Sequence, residues 1–481
     1  MIARGLFALT FLLAGCASSP GLDLEQGGLS GVEQTVRLDG RELRYAAFTG
    51  RIGVGGEGDG PHGQVFFTAY LAAPSGAGPR PVSFVWNGGP GANSALLHFE
   101  AFGPRTLGDE GLEDNPWTLL PYSDLVFVDP VGTGFSSDAP PEHEAEFYST
   151  LGDHAATAEF IEHWLDRFNA GTAPVYLIGE SFGTWRASAV AELLAERGRN
   201  VDGVVLISGG ATVGLGVLSR DETAALRTPG QTAAAFHHDR LAGDFSTLES
   251  ALDAAETWAR ETYLPALARL DALTQSQRDG LRDELAGFVG LDAEEIDIET
   301  VIVRPRPYLA ALLADRDATL DTFDMRRLEG APDASGVESS AEVIDAYFRD
   351  MLGYRSETSY FAPTEGGSIN ARWNYDSGEI TPEVMAAAQA GEGPPGAQPW
   401  ALNVIALDPE FRVFVAAGFY DSLNSCAANR EIERRLAPDV ADNFTMACYA
   451  GGHMMYRDAP EHERLTEDIA AFIAGEAPDD S

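Results

Sequence analysis

A serine at the centre of a Gly-x-Ser-x-Gly pattern, residues 179–183, is the first candidate for a reacting side chain. An apolar run typical of a buried strand precedes the pattern, and a helical pattern begins just after it. Glycines at such a place allow a sharp turn from strand to helix that lifts the Ser181 hydroxyl above the sheet edge. The N-terminus of the helix also favours negative charge on a reacting carbonyl. The pattern therefore predicts that Ser181 is a nucleophile.

A serine nucleophile needs a base to accept its proton and an acid to orient that base. When the serine lies on a turn of this kind, the acid and then the histidine follow it along the chain. Asp421 comes shortly after the predicted strand 413–416, and His453 comes directly after the predicted strand 444–447. We therefore predict that Asp421 orients His453 and that His453 is the base. Three other histidines are predicted to be solvated: His237, His238 and His462.

Two backbone N–H groups must also lie near the nucleophile to stabilise an oxyanion. Phe182, the residue after the serine, is expected to provide one of them. The second is expected from a glycine-rich loop after an early strand, and residues 86–91 (Trp-Asn-Gly-Gly-Pro-Gly) form such a loop.

The elements that must position these residues are predicted to be strands of one buried sheet. Four continuous apolar runs alternate with helical patterns, which indicates a parallel sheet covered on both faces. These runs are residues 82–86, 125–128, 175–178 and 204–207. Residues 36–73 alternate between apolar and polar side chains and predict antiparallel strands at the edge of the sheet.

The chain is predicted to consist of a core in two parts with a cap inserted between them. The first part of the core covers residues 31–212 and the second covers 345–475. Residues 213–344 are mainly helical and charged, without a strong strand pattern, and are predicted to pack over the strand ends.

The composition argues against several partners. The 481 residues carry a formal net charge of −42, and all 32 basic side chains are arginines. Such an acidic surface argues against binding to nucleic acid or to anionic lipid. No cofactor is predicted. No metal site is predicted either, because Cys426 and Cys448 have no histidine or cysteine at ligand spacing other than His453.

The N-terminal residues predict export. Residues 1–15 combine a short charged start with an apolar run too short to span a bilayer. Leu13-Ala14-Gly15-Cys16 resembles a bacterial lipobox, in which Cys16 is lipidated and residues 16–30 form a tether. Ala17, rather than an aspartate, follows Cys16, which predicts that the lipoprotein is sorted to the outer membrane and faces the periplasm. An ordinary signal peptide containing a cysteine is the alternative. In an exported protein, Cys426 and Cys448 are expected to form a disulfide.

Four motifs together resemble those of the serine carboxypeptidases, peptidase family S10. They are Asn-Gly-Gly-Pro-Gly at 87–91, Asp-Pro-Val-Gly-Thr-Gly-Phe-Ser at 129–136, Gly-Glu-Ser-Phe-Gly at 179–183 and Gly-His-Met at 452–454. The resemblance implies an α/β-hydrolase fold, with a mostly parallel sheet and a helical cap. It also implies the removal of C-terminal residues from peptides through an acyl-enzyme.

The resemblance assigns roles to further residues. Gly89 and Phe182 would supply the oxyanion N–H groups. Asn87, with Gly88, would bind the C-terminal carboxylate of a peptide, and Glu180 would belong to the same recognition site.

A second carboxylate should share a proton with Glu180, because two close carboxyls cannot both ionise. A protonated Glu180 can donate to the substrate carboxylate, so peptide hydrolysis should favour acidic pH and ester hydrolysis should depend less on pH. The family spacing places the second carboxylate fourteen residues after Asn87, at Ala101. Glu100 lies one position earlier and is the candidate if the spacing has slipped by one residue.

Two other functions remain open at this stage. A carboxylesterase or acyltransferase would use the same triad on the same scaffold. A catalytically silent lipoprotein would use the cleft under the cap only to bind peptides. The presence of Asn87 and Glu180 favours a peptidase acting on peptides with a free C-terminus.

Overall fold

The structure is a computed structural model that describes residues 24–26, 28–56, 60–73, 78–108, 111–210, 218–331, 336–364, 366–378, 381 and 398–476. The predicted leader 1–15, Cys16 and most of the predicted tether lie outside these ranges.

Within the described residues, nine strands form one mixed sheet, and two short strand pairs lie outside it. The strands are β1 (Glu25–Gln26), β2 (Leu29–Ser30), β3 (Val32–Leu38), β4 (Arg41–Val54), β5 (Gly63–Ala72), β6 (Val82–Trp86), β7 (Arg105–Gly108), β8 (Gly111–Asp114), β9 (Asp124–Asp129), β10 (Val175–Glu180), β11 (Gly203–Ile207), β12 (Arg412–Gly418) and β13 (Phe444–Tyr449). The order across the sheet is β3-β4-β5-β9-β6-β10-β11-β12-β13. The strands from β3 to β9 in this order pair antiparallel, and those from β9 to β13 pair parallel.

Helices cover both faces of the sheet. The α-helices of the described residues are α1 (Glu144–Phe147), α2 (Thr150–Arg167), α3 (Gly183–Glu196), α4 (Arg220–His237), α5 (Leu248–Trp258), α6 (Leu264–Leu267), α7 (Gln275–Val289), α8 (Pro305–Ala311), α9 (Ala341–Ala346), α10 (Ile369–Arg372), α11 (Trp400–Leu407), α12 (Cys426–Arg435), α13 (Pro438–Ala441) and α14 (Ala459–Ala474). One hydrophobic cluster joins the sheet to α2, α3 and α11, and a second joins the opposite face to α14.

The continuous apolar runs follow from this double coverage. Every residue of β6, β10 and β11 is buried, since side chains on both faces of these strands meet a layer of helices. With the nucleophile turn between β10 and α3, this arrangement is the α/β-hydrolase fold. The predicted fold class is confirmed.

Helices α4 to α8 form a cap with a hydrophobic core of its own. Tyr263, Leu285, Val289 and Leu312 are among its buried residues. Val337 and Ile344, by contrast, pack into the core of the sheet, so the chain has left the cap core before residue 345. Among the helices of the described residues, none combines the length and apolar character required to cross a bilayer.

Candidate active site

Ser181 lies at the turn between β10 and α3, where it adopts a left-handed backbone conformation with φ of 57°. The two flanking glycines are required by packing. A Cβ on Gly179 would lie 2.0 Å from the carbonyl oxygen of Gly183, and a Cβ on Gly183 would lie 2.9 Å from the indole of Trp86. The Gly-x-Ser-x-Gly pattern therefore reflects a turn that has no room for side chains on either side of the serine.

Asp421 and His453 meet at the carboxyl ends of neighbouring strands β12 and β13. His453 Nδ1 lies 2.8 Å from Asp421 Oδ2, and both side chains are buried. The backbone N–H of Leu423 donates to Asp421 Oδ1 at 2.9 Å. The carboxylate is thereby held in the orientation that directs the opposite ring nitrogen, Nε2, away from Asp421.

The electrostatic surroundings of His453 favour its protonated form. Burial by itself lowers the pKa of His453, but the charge and hydrogen bond of Asp421, together with the charge of Glu180, outweigh burial and raise that pKa. Nε2 is buried and makes no hydrogen bond with any described residue, Ser181 included. In the neutral form, with the ring proton on Nδ1 facing Asp421, Nε2 has a lone pair that can accept the serine proton when a substrate is bound.

The cap contributes directly to the surroundings of His453. The carbonyl oxygen of Phe323 accepts a hydrogen bond from the His453 backbone N–H at 2.6 Å, and the two rings lie 5.2 Å apart. The carbonyl oxygen of Thr322 accepts from the Ser422 hydroxyl at 2.7 Å. This segment therefore covers one side of the histidine.

Two residues that the sequence analysis missed hold Asp421 and His453 in place. Asn424 Nδ2 donates to Asp421 Oδ2 at 2.8 Å and to the carbonyl oxygen of Ser208 at 2.9 Å. Ser208 follows β11, and its hydroxyl donates to the carbonyl oxygen of His453 at 2.5 Å. The only signal available was the polar sequence after Asp421, since nothing in the sequence relates Ser208 to residues more than two hundred positions away.

The glycine-rich loop after β6 presses against the nucleophile turn. A Cβ on Gly88 would lie 2.5 Å from the backbone nitrogen of Phe182, so only glycine allows this approach. Gly89 has φ of +104°, which also favours glycine. Among the described residues, neither the N–H of Gly89 nor that of Phe182 donates to an acceptor. Both donors are available to an oxyanion.

A buried ion pair anchors this loop, and the sequence analysis missed it. Arg186 on α3 makes two hydrogen bonds to Asp153 on α2, with Nε to Oδ2 at 2.7 Å and Nη2 to Oδ1 at 3.2 Å. Its Nη1 also donates to the carbonyl oxygen of Asn87 at 2.9 Å. The guanidinium therefore ties the first residue of the oxyanion loop to the two helices behind the nucleophile.

Asn87 and Glu180 lie together in a buried polar cluster beside Ser181, which we call the Asn87–Glu180 pocket. Asn87 Nδ2 donates to Glu180 Oε1 at 3.0 Å, and the Tyr456 hydroxyl donates to Glu180 Oε2 at 2.6 Å. Burial raises the pKa of Glu180, while His453 and these two hydrogen bonds oppose the increase. A carboxyl with a raised pKa can be protonated under mildly acidic conditions.

Glu100 lies in the same region, and Arg457 neutralises its charge. Arg457 Nε donates to Glu100 Oε2 at 2.9 Å, and the negative charges of Glu100 and Glu180 both act on Tyr456 between them. Glu100 belongs to a π-helical segment, Leu97–Phe102, in which the usual helical spacing does not hold. Proton sharing between Glu100 and Glu180 stays a prediction, and Arg457 opposes it because a guanidinium stabilises ionised Glu100.

A disulfide joins Cys426 and Cys448, whose Cα atoms are 6.0 Å apart. Cys426 begins α12 just after the Asp421 loop, and Cys448 lies on β13 just before the His453 loop. The bond therefore links the elements that carry Asp421 and His453.

The prediction that His462 and His238 are solvated is wrong. His462 is buried against Trp117, its Nε2 lies 3.0 Å from the carbonyl oxygen of Ala101, and burial lowers its pKa to about 4. His238 is half-buried, with Nε2 at 2.8 Å from the carbonyl oxygen of Met325. His462 lies on the packed side of α14, and His238 directly follows the last residue of α4. The charged residues around them in sequence concealed both positions. His237 is exposed, as expected.

Residues 51–264 match the family model described as serine carboxypeptidase, Peptidase S10. Over this segment the chain is similar to the serine carboxypeptidase family. The matched segment includes Ser181 and the Asn87 loop but ends before Asp421 and His453.

Curated relatives of the family match the chain over part of its length. The pheromone-processing carboxypeptidase kex1 of Aspergillus niger is 32% identical over 170 residues, 34% of this chain and 27% of that protein. Serine carboxypeptidase-like 28 of Arabidopsis thaliana is 28% identical over 177 residues, 35% of this chain and 37% of that protein. The matches thus span 27% and 37% of the lengths of these two relatives.

Two solved structures align with most of the chain at low TM-scores and low sequence identity. A putative aryl esterase from Burkholderia cenocepacia aligns with a TM-score of 0.36 and 13% identity, over 89% of this chain and 98% of that one. A peroxisomal alpha-beta-hydrolase from Saccharomyces cerevisiae aligns with a TM-score of 0.38 and 11% identity, over 91% of each chain.

Proposed function

We propose that this protein is a serine-type carboxypeptidase that removes C-terminal residues from peptides through an acyl-enzyme. The observation that carries the proposal is the placement of the Asn87–Glu180 pocket directly beside the nucleophile turn. In this proposal, Asn87 and Glu180 hold the carboxylate of the substrate next to the reacting carbonyl. An enzyme that acts only on esters has no need for such a pocket.

Three residues carry the chemistry in this proposal. The hydroxyl of Ser181 attacks the carbonyl carbon of the last peptide bond while His453 Nε2 accepts the hydroxyl proton. The same proton then passes to the leaving amine, and the C–N bond breaks to leave an ester on Ser181. Water, activated by His453, hydrolyses this ester and restores the serine. Asp421 keeps the proton of neutral His453 on Nδ1 and stabilises the imidazolium that forms.

The backbone donors of Gly89 and Phe182 stabilise each tetrahedral intermediate. Both N–H groups lie on rigid backbone, since the Gly88 contact and Arg186 fix the loop against the nucleophile turn. Preorganised donors of this kind need no reorientation when the oxyanion forms, which is the source of their catalytic effect.

The pocket selects a free C-terminus. Asn87 Nδ2 is a donor, and Glu180 becomes one when it is protonated, so both can hydrogen-bond to a carboxylate. Ionised Glu180 repels the same carboxylate. Because burial raises the pKa of Glu180, the donating form persists to higher pH than it would for an exposed glutamate.

The decisive experiment compares an N-blocked dipeptide with its C-terminal amide between about pH 4 and about pH 8, with Ser181→Ala as the control. Cleavage of the free acid but not of the amide, strongest at acidic pH, would support the proposal. If both compounds are inert while a simple ester is hydrolysed, the enzyme is an esterase. The Arg457–Glu100 ion pair is the observation that favours this second candidate, because it alters the carboxylate pocket.

A fluorophosphonate probe separates either enzyme from a silent binding protein. The probe reacts only with a serine that is activated by its base. Labelling that is lost in Ser181→Ala would exclude a silent protein, and an unlabelled folded chain would contradict both enzymatic functions.

A further inference from the structure

Two histidines and a glutamate that take no part in the proposed reaction converge on one point. His62 Nδ1 lies 2.8 Å from Glu146 Oε2, and His143 Nδ1 lies 3.1 Å from the same oxygen. The two imidazole rings are stacked, with centroids 3.7 Å apart. Residues 62 and 143 are 81 positions apart in the chain, so only the fold brings their nitrogens to one carboxylate.

We propose that His62, His143 and Glu146 bind a divalent transition-metal ion, with Zn²⁺ as the best fit. Two imidazole nitrogens and one carboxylate oxygen are a donor set that zinc prefers, and a water completes its four ligands. The three donor atoms lie within 4.8 Å of one another. Donors at about 2.0–2.1 Å from a tetrahedral ion are about 3.3 Å apart, so each nitrogen moves away from the oxygen by at most about half an ångström. The two stacked rings also turn, so that both Nδ1 lone pairs point at the ion.

The protonation states required for binding are accessible without a net proton transfer. Neutral histidine carries its proton on either ring nitrogen, and a shift of that proton to Nε2 leaves the Nδ1 lone pair free for the ion. Glu146 binds as the ionised carboxylate. The side chains of His62, His143 and Glu146 are 28%, 29% and 36% exposed, so water can reach the remaining coordination position.

The backbone around the three donors is fitted closely to them. A Cβ on Gly55 would lie 2.3 Å from Glu146 Oε1, and a Cβ on Gly56 would lie 2.8 Å from the His62 ring. Both glycines have positive φ, +70° and +84°, and the N–H of Gly55 donates to Glu159 at 3.0 Å. The two glycines thus allow the chain after β4 to close against the donor set, which a loosely arranged surface cluster would not require.

The position of the cluster indicates a structural role for the ion. The start of β5 pairs with the carboxyl end of β9. His62, just before β5, therefore lies at the same end of the strands as Ser181, on the side of the sheet formed by the antiparallel strands. An ion bound there joins the β4–β5 connection to α1. Because a site of this kind exists only in the folded chain, bound zinc adds its binding free energy to folding stability.

The test measures zinc retained by the full chain after treatment with a chelator and dialysis against buffered Zn²⁺. The native protein should retain about one tightly bound ion, and His62→Ala and Glu146→Gln should bind it at least about tenfold more weakly. Glutamine keeps an acceptor oxygen for the imidazoles, so this variant tests charge and coordination with little disturbance of packing. The matched control is His163→Ala, which removes an exposed histidine whose Nδ1 lies near the Gly53 carbonyl oxygen.

Two readouts keep the result independent of activity and of folding defects. Binding to the many surface carboxylates of this acidic chain is common to all four proteins, so the difference between variants isolates the site. Co²⁺ bound to the native chain should give the absorption of a tetrahedral complex and should be displaced by one equivalent of Zn²⁺. The proposal is overturned if native protein and Glu146→Gln retain equal zinc, or if bound Co²⁺ is octahedral. If the two imidazoles only hydrogen-bond to Glu146, the native protein and Glu146→Gln would retain equal zinc.

Discussion

Replacing Tyr456 with phenylalanine should widen the pH range of peptide hydrolysis. The hydroxyl donates to Glu180 Oε2 at 2.6 Å in a fully buried pocket. A hydrogen bond to a charged group contributes about 1.5–3 kcal/mol. Since one pKa unit corresponds to about 1.4 kcal/mol, losing this bond should raise the pKa of Glu180 by about one to two units beyond the increase that burial already causes.

The direction of the effect on activity follows from which form of Glu180 binds substrate. Protonated Glu180 donates to the peptide carboxylate, so kcat/KM falls as the pH rises through the pKa of this glutamate. In Tyr456→Phe that fall should occur about one to two pH units higher. The acidic side should move to lower pH, because ionised Glu180 helps to raise the pKa of His453. Glu180 and His453 titrate as a coupled pair, so the acidic and the alkaline limb of the kcat/KM profile each depend on both groups.

The assay is kcat/KM against pH for an N-blocked dipeptide and for an ester without a free carboxylate, in three proteins. Tyr449→Phe is the matched control, since the Tyr449 hydroxyl donates to Asp468 at the same 2.6 Å but outside the pocket. Tyr449→Phe should follow the pH profile of the native protein. In Tyr456→Phe, the fall in kcat/KM for the ester at alkaline pH should stay at the native position. An alkaline limb for the peptide that stays in place or moves to lower pH in Tyr456→Phe would refute the reasoning.

Three further predictions concern the loop, the acid and the N-terminus. Gly88→Ala should lower kcat at least about a hundredfold, because its Cβ would lie 2.5 Å from the Phe182 nitrogen. The control Gly78→Ala, whose Cβ would have no atom within 4 Å, should leave kcat unchanged. Equal kcat values for the two variants would contradict the assignment of the oxyanion donors. Asn424→Ala should lower kcat about tenfold for peptide and ester alike, because Asp421 loses a hydrogen bond; a loss confined to peptides would point instead to the carboxylate pocket. Cys16→Ser should abolish incorporation of labelled fatty acid in a bacterial host, and retained label would exclude lipidation at Cys16.

The nucleophile turn and the chain order of the candidate triad were predictable from the sequence. The turn depends on residues 179–183 and on an adjacent strand and helix, and these are local patterns. Asp421 and His453 were found because each follows a strand of strong apolar character, and parallel strands bring their carboxyl ends to one edge of a sheet. Local pattern and strand direction together were enough to predict all three candidates.

The residues that support this constellation could not be found in the same way. Arg457 and Glu100 are separated by 357 positions, and their meeting depends on how the loop after β13 packs against the helical segment after β6. The side chain of Glu100 also faces a direction that ideal helical spacing does not predict, since the segment is π-helical. Counting residues from Asn87 therefore identified the segment around Glu100 but not the ion pair between Glu100 and Arg457.

Burial is the remaining quantity that tertiary structure alone determined. His462 lies among glutamates in sequence and yet is buried against Trp117, while His62 and His143 meet only because a hairpin and a helix share one edge. A side chain's environment depends on the neighbours that packing brings to it, and these neighbours are distant in sequence. The sequence thus determined which residues could react and in what order they occur. The fold determined how deeply they are buried and which charges they meet, and through both the pKa values on which the proposed function depends.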